Sequence, residues 1–235
     1  MENNLIANVE LLKDSFDVIQ LLFHDRNGLD DVMSAGIIKR LAQIKNSNGV
    51  SYIIHLPIDL DLFSSDAEFE ISAGIISSIV SATAFIKPEY FILHLDGACG
   101  SSRLDDVLGM IRRMDPQGRI LVENTGFDLM SISGPLDRHG FDICLDLGHI
   151  YMNGHDIDGF LEAFGQRIRV VHLHGFNGSR DHISLRAVDP DIIDRISVFL
   201  DGYTGIVIIE VYSYGDLEES VKILKNSFRS LHENK

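Results

Sequence analysis

Tryptophan is missing from the 235 residues, cysteine occurs only twice, and Lys and Arg together number 20 against 35 Asp and Glu. Each shortage excludes something. Cys99 and Cys144 are too few for a disulfide framework and each lies beside an expected strand end, so reduced thiols in a cytoplasmic protein are the simpler reading. The formal net charge of −15 disfavours a long, sequence-independent grip on nucleic acid, which depends on clustered Lys and Arg displacing counterions from phosphates. A local basic pocket stays open. With no tryptophan, and no loop that joins Arg to intercalating aromatics, a DNA-kinking surface is also disfavoured. Apolar runs such as "GIVIIEV" (205–211) are strand-length, far below the ~20 residues of a bilayer-crossing helix. The start, "MENNLIANVELLKDSF", is polar and acidic, without the cationic, apolar and small-residue regions of a secretion signal. The expectation is a cytoplasmic chain with no membrane span.

What is present is a chain 45% hydrophobic, long enough to bury a sizeable core as one domain over 1–235, with no internal repeat, low-complexity tract or linker. Seven apolar runs read as strands: "DVIQLLF" (17–23), "VSYIIHL" (50–56), "YFILHL" (90–95), "RILVEN" (119–124), "FDICLDL" (141–147), "IRVVHLH" (168–174) and "GIVIIEV" (205–211). Between them, 31–45, 68–84, 103–114, 156–166, 189–200 and 216–230 carry apolar residues at helical spacing, and Asp189 with Pro190 makes a helix start. Alternating strands and helices, with strands apolar throughout, indicate a parallel sheet covered by helices. An open nucleotide-binding sheet would show a Gly-rich fingerprint after its first strand. Here "FHDRNG" follows, and neither GxGxxG nor GxxxxGK[ST] occurs, so a (β/α) barrel is favoured. The segment 4–14 reads as a helix with no strand before it. The count therefore stops at seven where closure wants eight, and either the first strand is missing or the barrel is open there and covered by a partner chain.

The strand ends carry the chemistry. They bring His55, His94, Glu123, Asp146 with His149, His172 with His174, and Glu210, all of metal-ligand type. In a parallel barrel every C-terminal strand end faces one mouth, where such barrels place their active sites. Mixed imidazoles and carboxylates suit Zn, Mn, Co or Fe better than calcium, whose sites are all oxygen. Singly, each residue has a bland reading: a strand-end His as a hydrogen-bonded rim group, Glu123 as a helix cap, "DLGH" as a turn in which Asp146 bonds backbone amides. Jointly, ionisable residues end six successive strands where apolar ones would cost less to bury. The stretch "GFNGSRDH" (175–182) reads as a glycine-containing loop that brings Asp181 and His182. Arg180 and Arg186 flank it as holders of an anionic group, with surface salt bridges as the equal alternative. Asp59 could line the mouth, whereas His24, His139, His155 and His232 read as surface groups.

This constellation resembles the xylose isomerase-like TIM barrels, the superfamily of AP endonuclease family 2 and of sugar isomerases and epimerases. The resemblance covers most of the chain and rests on "LVEN", "LDLGH", "VVHLHG" with the later "DH", and "IIEV". It implies that Glu123, Asp146, His172 or His174, and Glu210 hold a divalent transition metal. A narrower similarity, in "ENNLIANVELL", "DVIQLLFHD" and "YIIHLPIDLD", is to the cobamide-remodelling phosphodiesterases, the CbiR branch. It implies hydrolysis of the cobamide nucleotide loop at the phosphoribosyl link. The chain departs from that family by lacking the opening strand, and from the nuclease pattern in that Asp181 and His182 are adjacent.

Two chemistries fit one ligand set. An isomerase or epimerase of a phosphorylated sugar or ketose would let Glu123 and Glu210 exchange protons with carbon and needs little more. A phosphodiesterase gains from extra ligands, which His55, His94, His149 and His182 supply. Hydrolysis is therefore the favoured expectation. Glu123, Glu210, His149 and His182 would be catalytic, His94 and His149 further metal ligands, and His55, Asp59, Arg180 and Arg186 substrate-binding. The expected partners are a small-molecule substrate and a second copy of the chain that covers the gap beside 17–23 and 205–211.

Overall fold

A computed structural model describes residues 4–178 and 180–233. Every expected strand forms: β1 (Val18–Leu22), β2 (Ser51–His55), β3 (Phe91–His94), β4 (Ile120–Glu123), β5 (Ile143–Asp146), β6 (Ile168–Leu173) and, after the hairpin strands β7 (Gly175–Asn177) and β8 (Arg180–Ile183), β9 (Ile206–Ile209). Seven of them make one sheet in the order β1-β2-β3-β4-β5-β6-β9, so each new strand is laid beside the previous one through a crossover helix. By compactness the chain divides into two units, residues 2–144 and 145–235.

In residues 2–144 the register is parallel, with Val18 to Leu22 facing Ser51 to His55 and Phe91 to His94 facing Ile120 to Glu123. Strands β2 to β4 are buried on both faces, and Ile53, Ile54, Ile92, Leu93, Leu121 and Val122 lose all contact with water. Burying each such side chain contributes about 1.5–3 kcal/mol. That two-sided burial is why these strands read as unbroken apolar runs. Asn4 caps the helix Leu5–Leu12 by accepting from the Ala7 N–H at 3.0 Å. The helix expected over 31–45 is two helices, Leu29–Val32 and Ala35–Asn48, because Gly28 enters at φ +76° and Ser34 breaks the run.

The helix Asp66–Thr83 is longer than the strand-length runs. Together with the following turn to Ile86 it is long and apolar enough, by length and composition, to cross a membrane. The strand-length runs had hidden it, since serines interrupt its apolar residues. Ser72, Ala73, Ile76, Ile79 and Thr83 are buried, while Ser77, Ser78 and Ser81 face outward, the two-faced pattern of a helix that covers a sheet.

In residues 145–235, β6 pairs with β9 in parallel, Val170 to Leu173 facing Ile206 to Ile209. The helix Pro190–Asp201 starts where Asp189 and Pro190 promise it, with the Asp189 carboxylate accepting from the Asp191 N–H at 2.9 Å. Two expectations change. Where a loop was expected, Gly175–Asn177 pairs antiparallel with Arg180–Ile183, β7 on β8. "DLGH" opens the helix Leu147–Asn153, with Asp146 as its N-cap.

Candidate metal centre

Within residues 2–144, three strand ends bring His55, His94 and Glu123 together, with one ligand atom from each within 4.8 Å of the others. Glu123 is 1% exposed and lies opposite His94 in the β3–β4 register. Both imidazoles aim Nε2 at the same carboxylate oxygen, His55 at 3.2 Å and His94 at 3.1 Å from Glu123 Oε2, with the rings edge to face at 4.9 Å. His55 Nδ1 lies 2.8 Å from the Leu56 carbonyl, so its proton resides there. In the neutral ring Nε2 then presents a lone pair to a carboxylate lone pair, an arrangement that only a proton or a metal cation makes favourable. The donor set fits a divalent transition metal.

Within residues 145–235, His149, His174 and His182 likewise bring three ligand atoms within 4.8 Å. Asp146, fully buried at the end of β5, accepts from the His149 N–H at 2.7 Å and meets His174 Nε2 at 3.2 Å, both on Oδ1. His149 Nδ1 lies 3.5 Å from Asp146 Oδ2. His172, also fully buried, places Nδ1 3.1 Å from Glu210 Oε2, and the Glu210 N–H donates to the Leu173 carbonyl at 2.8 Å, fixing the residue just past β9. His182 Nδ1 lies 3.2 Å from the Glu210 carbonyl, which leaves Nε2 as its ligand atom. Its ring stacks on His174 at 4.2 Å and leans on Tyr212 at 5.1 Å. Burial, the largest single influence, pushes the His174 imidazole down, but the Asp146 carboxylate, the Gly175 carbonyl and Glu210 together outweigh it and raise the group to about 9.

Two residues here escape a reading by residue type, and a third, the expected His182, has a backbone conformation that its type does not announce. A Cβ on Gly148 would lie 2.3 Å from the His174 ring, and one on Gly175 would lie 2.0 Å from the Ser184 carbonyl oxygen, so both glycines are room for something else. His182 sits at φ +49°, a left-handed conformation that costs roughly 1–3 kcal/mol when held at a site. The glycines in "DLGH" and "HLHG" were the available signal.

The expected substrate groups are more dispersed. Asp59 is taken up by Arg26, whose N–H donates to Oδ1 at 2.9 Å and whose Nε reaches Oδ2 at 3.3 Å, while Nη1 reaches Glu68 at 2.8 Å. Arg186 pairs with Glu219 at 3.0 Å on an exposed surface, the salt bridge weighed against anion binding. Arg180 and Asp181 are exposed. His139 and His232 pair with the surface carboxylates of Asp105 and Asp201, each at 3.1 Å.

Parallel strands alternating with helices, their ends carrying imidazole–carboxylate clusters, define the α/β-barrel class of fold. Solved structures of xylose isomerase-like TIM barrels share this fold of seven parallel strands and crossover helices. A D-tagatose 3-epimerase-like protein superposes with a TM-score of 0.75 at 19% identity, covering 96% of this chain and 93% of its own. Endonuclease IV from Thermus thermophilus gives 0.69 at 19% identity over 100% of this chain and 96% of its own. The IolI protein with a bound zinc atom gives 0.71 at 15% identity over 96% and 91%. By sequence, no family model and no curated protein matches the chain.

Proposed function

We propose that the chain is a metal-dependent phosphodiesterase that hydrolyses the nucleotide loop of cobamides. The observation that carries hydrolysis is the surplus of imidazoles: His55 and His94 on Glu123, and His149 and His182 beside Asp146 and Glu210. A single-metal isomerase needs none of these beyond its four ligands. Glu123, Asp146, His172 or His174, and Glu210 are the proposed inner ligands, with His94 and His149 as further ones. A divalent transition metal held there, Zn, Mn, Co or Fe, supplies Lewis acidity at a phosphate oxygen and acidifies water. His182, or His149 where it is not a ligand, is the proposed donor of the proton that the departing oxygen needs, and His55 orients Glu123 or the substrate. The cobamide rests on the sequence resemblance alone. The reading includes a cytoplasmic location and a single catalytic domain over 1–235.

A second reading, isomerisation or epimerisation of a ketose or sugar phosphate, is the one the comparisons back better. The D-tagatose 3-epimerase-like protein shares the fold at a higher TM-score than endonuclease IV. In that reading Glu123 and Glu210 exchange protons with substrate carbon. One experiment separates the two. The protein is incubated with Mn²⁺, Co²⁺ or Zn²⁺ and either a cobamide or a ketose, and products are read by mass and by sugar chromatography. A cobinamide phosphate plus the lower-ligand riboside, lost in Glu123→Gln with the circular-dichroism spectrum unchanged, is the expected result. Epimer formation with the cobamide intact overturns hydrolysis in favour of the second reading.

A further inference from the structure

We infer that the outward face of the helix Asp66–Thr83 is a dimer interface, on which a second copy of this chain packs the same helix antiparallel about a two-fold axis at Ser78. This contact is independent of the metal reading and lies on a face other than the strand edges. Only 33% of the most apolar 18-residue stretch between Asp66 and Ile86 is buried, so a helix hydrophobic enough for a bilayer keeps one side open to solvent. Its inner side, Ser72, Ala73, Ile76, Ile79 and Thr83, is packed. On the outer side stand Ile71, 51% exposed, and Phe85, 71% exposed, the latter in the turn Ala84–Ile86 that prolongs the helix. Between them, at the three- and four-residue steps that share one helix face, are Gly74, Ser78 and Ala82. The Ser78 hydroxyl donates to the Gly74 carbonyl at 2.8 Å, so its hydrogen is already engaged within the helix. An exposed apolar row of this kind marks a contact surface.

The order of residues on this face selects its occupant. Ile71 and Phe85 each stand seven residues from Ser78, and Gly74 and Ala82 each four, so the row reads the same in both directions from Ser78, small first and then large and apolar. A surface that matches itself on reversal is what an isologous two-fold contact requires, residue i meeting j while j meets i. Antiparallel packing about Ser78 sets Ile71 of each copy against Phe85 of the other, and the small residues at the centre let the helix axes approach to the ~8–10 Å of close packing. Beside Ile71, an open groove of about 700 Å³, lined in part by Leu29, Met33, Gly74 and Ile75, receives the Phe85 ring of the second copy. Charge gives the same register. Glu70 lies eight residues before Ser78 and Lys87 nine after it; both are exposed and neither forms an ion pair among the described residues, whereas Asp66 and Glu68 are held by Arg103 and Arg26 at 2.9 and 2.8 Å. The antiparallel pair brings each Glu70 to Lys87 of the other copy, where a parallel pair would set Glu70 on Glu70. A bilayer fits this face less well, because Asp66, Glu68 and Glu70 crowd one end of it in a chain of net charge −15.

The test is the mass in solution, by sedimentation velocity and light scattering across micromolar concentrations, of the wild type and of variants on this face. A Cβ at Gly74 meets nothing within 4 Å, and arginine favours a helix over glycine, so Gly74→Arg leaves the single chain folded and blocks the close approach. Its mass should fall from that of two chains to that of one, with circular dichroism unchanged. Ser78→Cys, made with Cys99→Ser so that the buried Cys144 is the only other thiol, should join two copies on mild oxidation, since residues facing each other on the axis lie within disulfide reach. Lys87→Glu should raise the concentration at which the dimer dissociates, and Glu70→Lys combined with Lys87→Glu should restore it. Should Gly74→Arg fail to fold, the cross-link and the charge reversal still decide the matter. A wild type that stays monomeric overturns the inference. So does a dimer that persists in Gly74→Arg while Ser78→Cys does not cross-link, which assigns the assembly to another face such as a strand edge. Wild-type monomer pelleted by phosphatidylcholine vesicles, and released by Ile71→Ser with Phe85→Ser, overturns it in favour of a membrane.

Discussion

Tyr52 has no exposure to water, and its hydroxyl donates to the Leu41 carbonyl at 3.0 Å. Burial, helped by the charge of Glu10, pushes the phenol up to about 12. A phenol whose folded value exceeds its unfolded one, about 10, contributes stability that is complete below pH 10 and lost as the pH rises through 12. Tyr52→Phe should therefore lower stability at pH 7 by about 1 kcal/mol, the worth of the hydrogen bond, and flatten the decline between pH 10 and 12. Urea unfolding at pH 7, 10 and 11.5 checks both, and a decline as steep in the variant would refute the assignment. At this scale the sequence was legible by type but not by geometry. Glu123, Asp146, His172 and Glu210 stand out as ionisable residues ending apolar runs. The dependence of His174 on Gly148 does not, because a glycine records only an absence and the ring that fills it is 26 positions away, from 148 to 174.

Elements were legible where their residues are buried on both faces. Strands β2 to β6 appear as unbroken apolar runs because helices cover them, and the Asp189–Pro190 start announces its helix through side-chain capping and a missing N–H. The β7–β8 hairpin was not legible, since it is three and four residues long, polar, and partly exposed, so neither period nor composition marks it. The long helix from Asp66 was read as amphipathic but not as apolar enough to span a bilayer. Strands β1 and β9 stand at the two ends of the sheet order, and Val207 on β9 is 39% exposed. Unpaired strand edges invite another chain. We propose that a second copy of this protein covers them, and expect light scattering to give a dimer or larger assembly; a monomeric mass across micromolar concentrations counts against it.

For the molecule as a whole, charge sits mostly at the surface, and few titratable side chains are buried. Five of the buried charged or titratable side chains, His55, Glu123, Asp146, His172 and His174, lie at strand ends. Burying charge costs several kcal/mol per group even when it is paired, and metal binding is the compensation proposed. The superposed structures share that architecture at 15–19% identity, which fixes the barrel and leaves the reaction to the site. The most direct measurement is equilibrium dialysis of the metal-free protein against micromolar Zn²⁺, Mn²⁺ and Co²⁺, with metal and protein then quantified. At least one tightly held equivalent of one of these ions, lost when Glu123, Asp146, His172 and Glu210 are replaced by their amides or by Gln, is the predicted result. Retention of none of the three by the folded wild type would contradict the account.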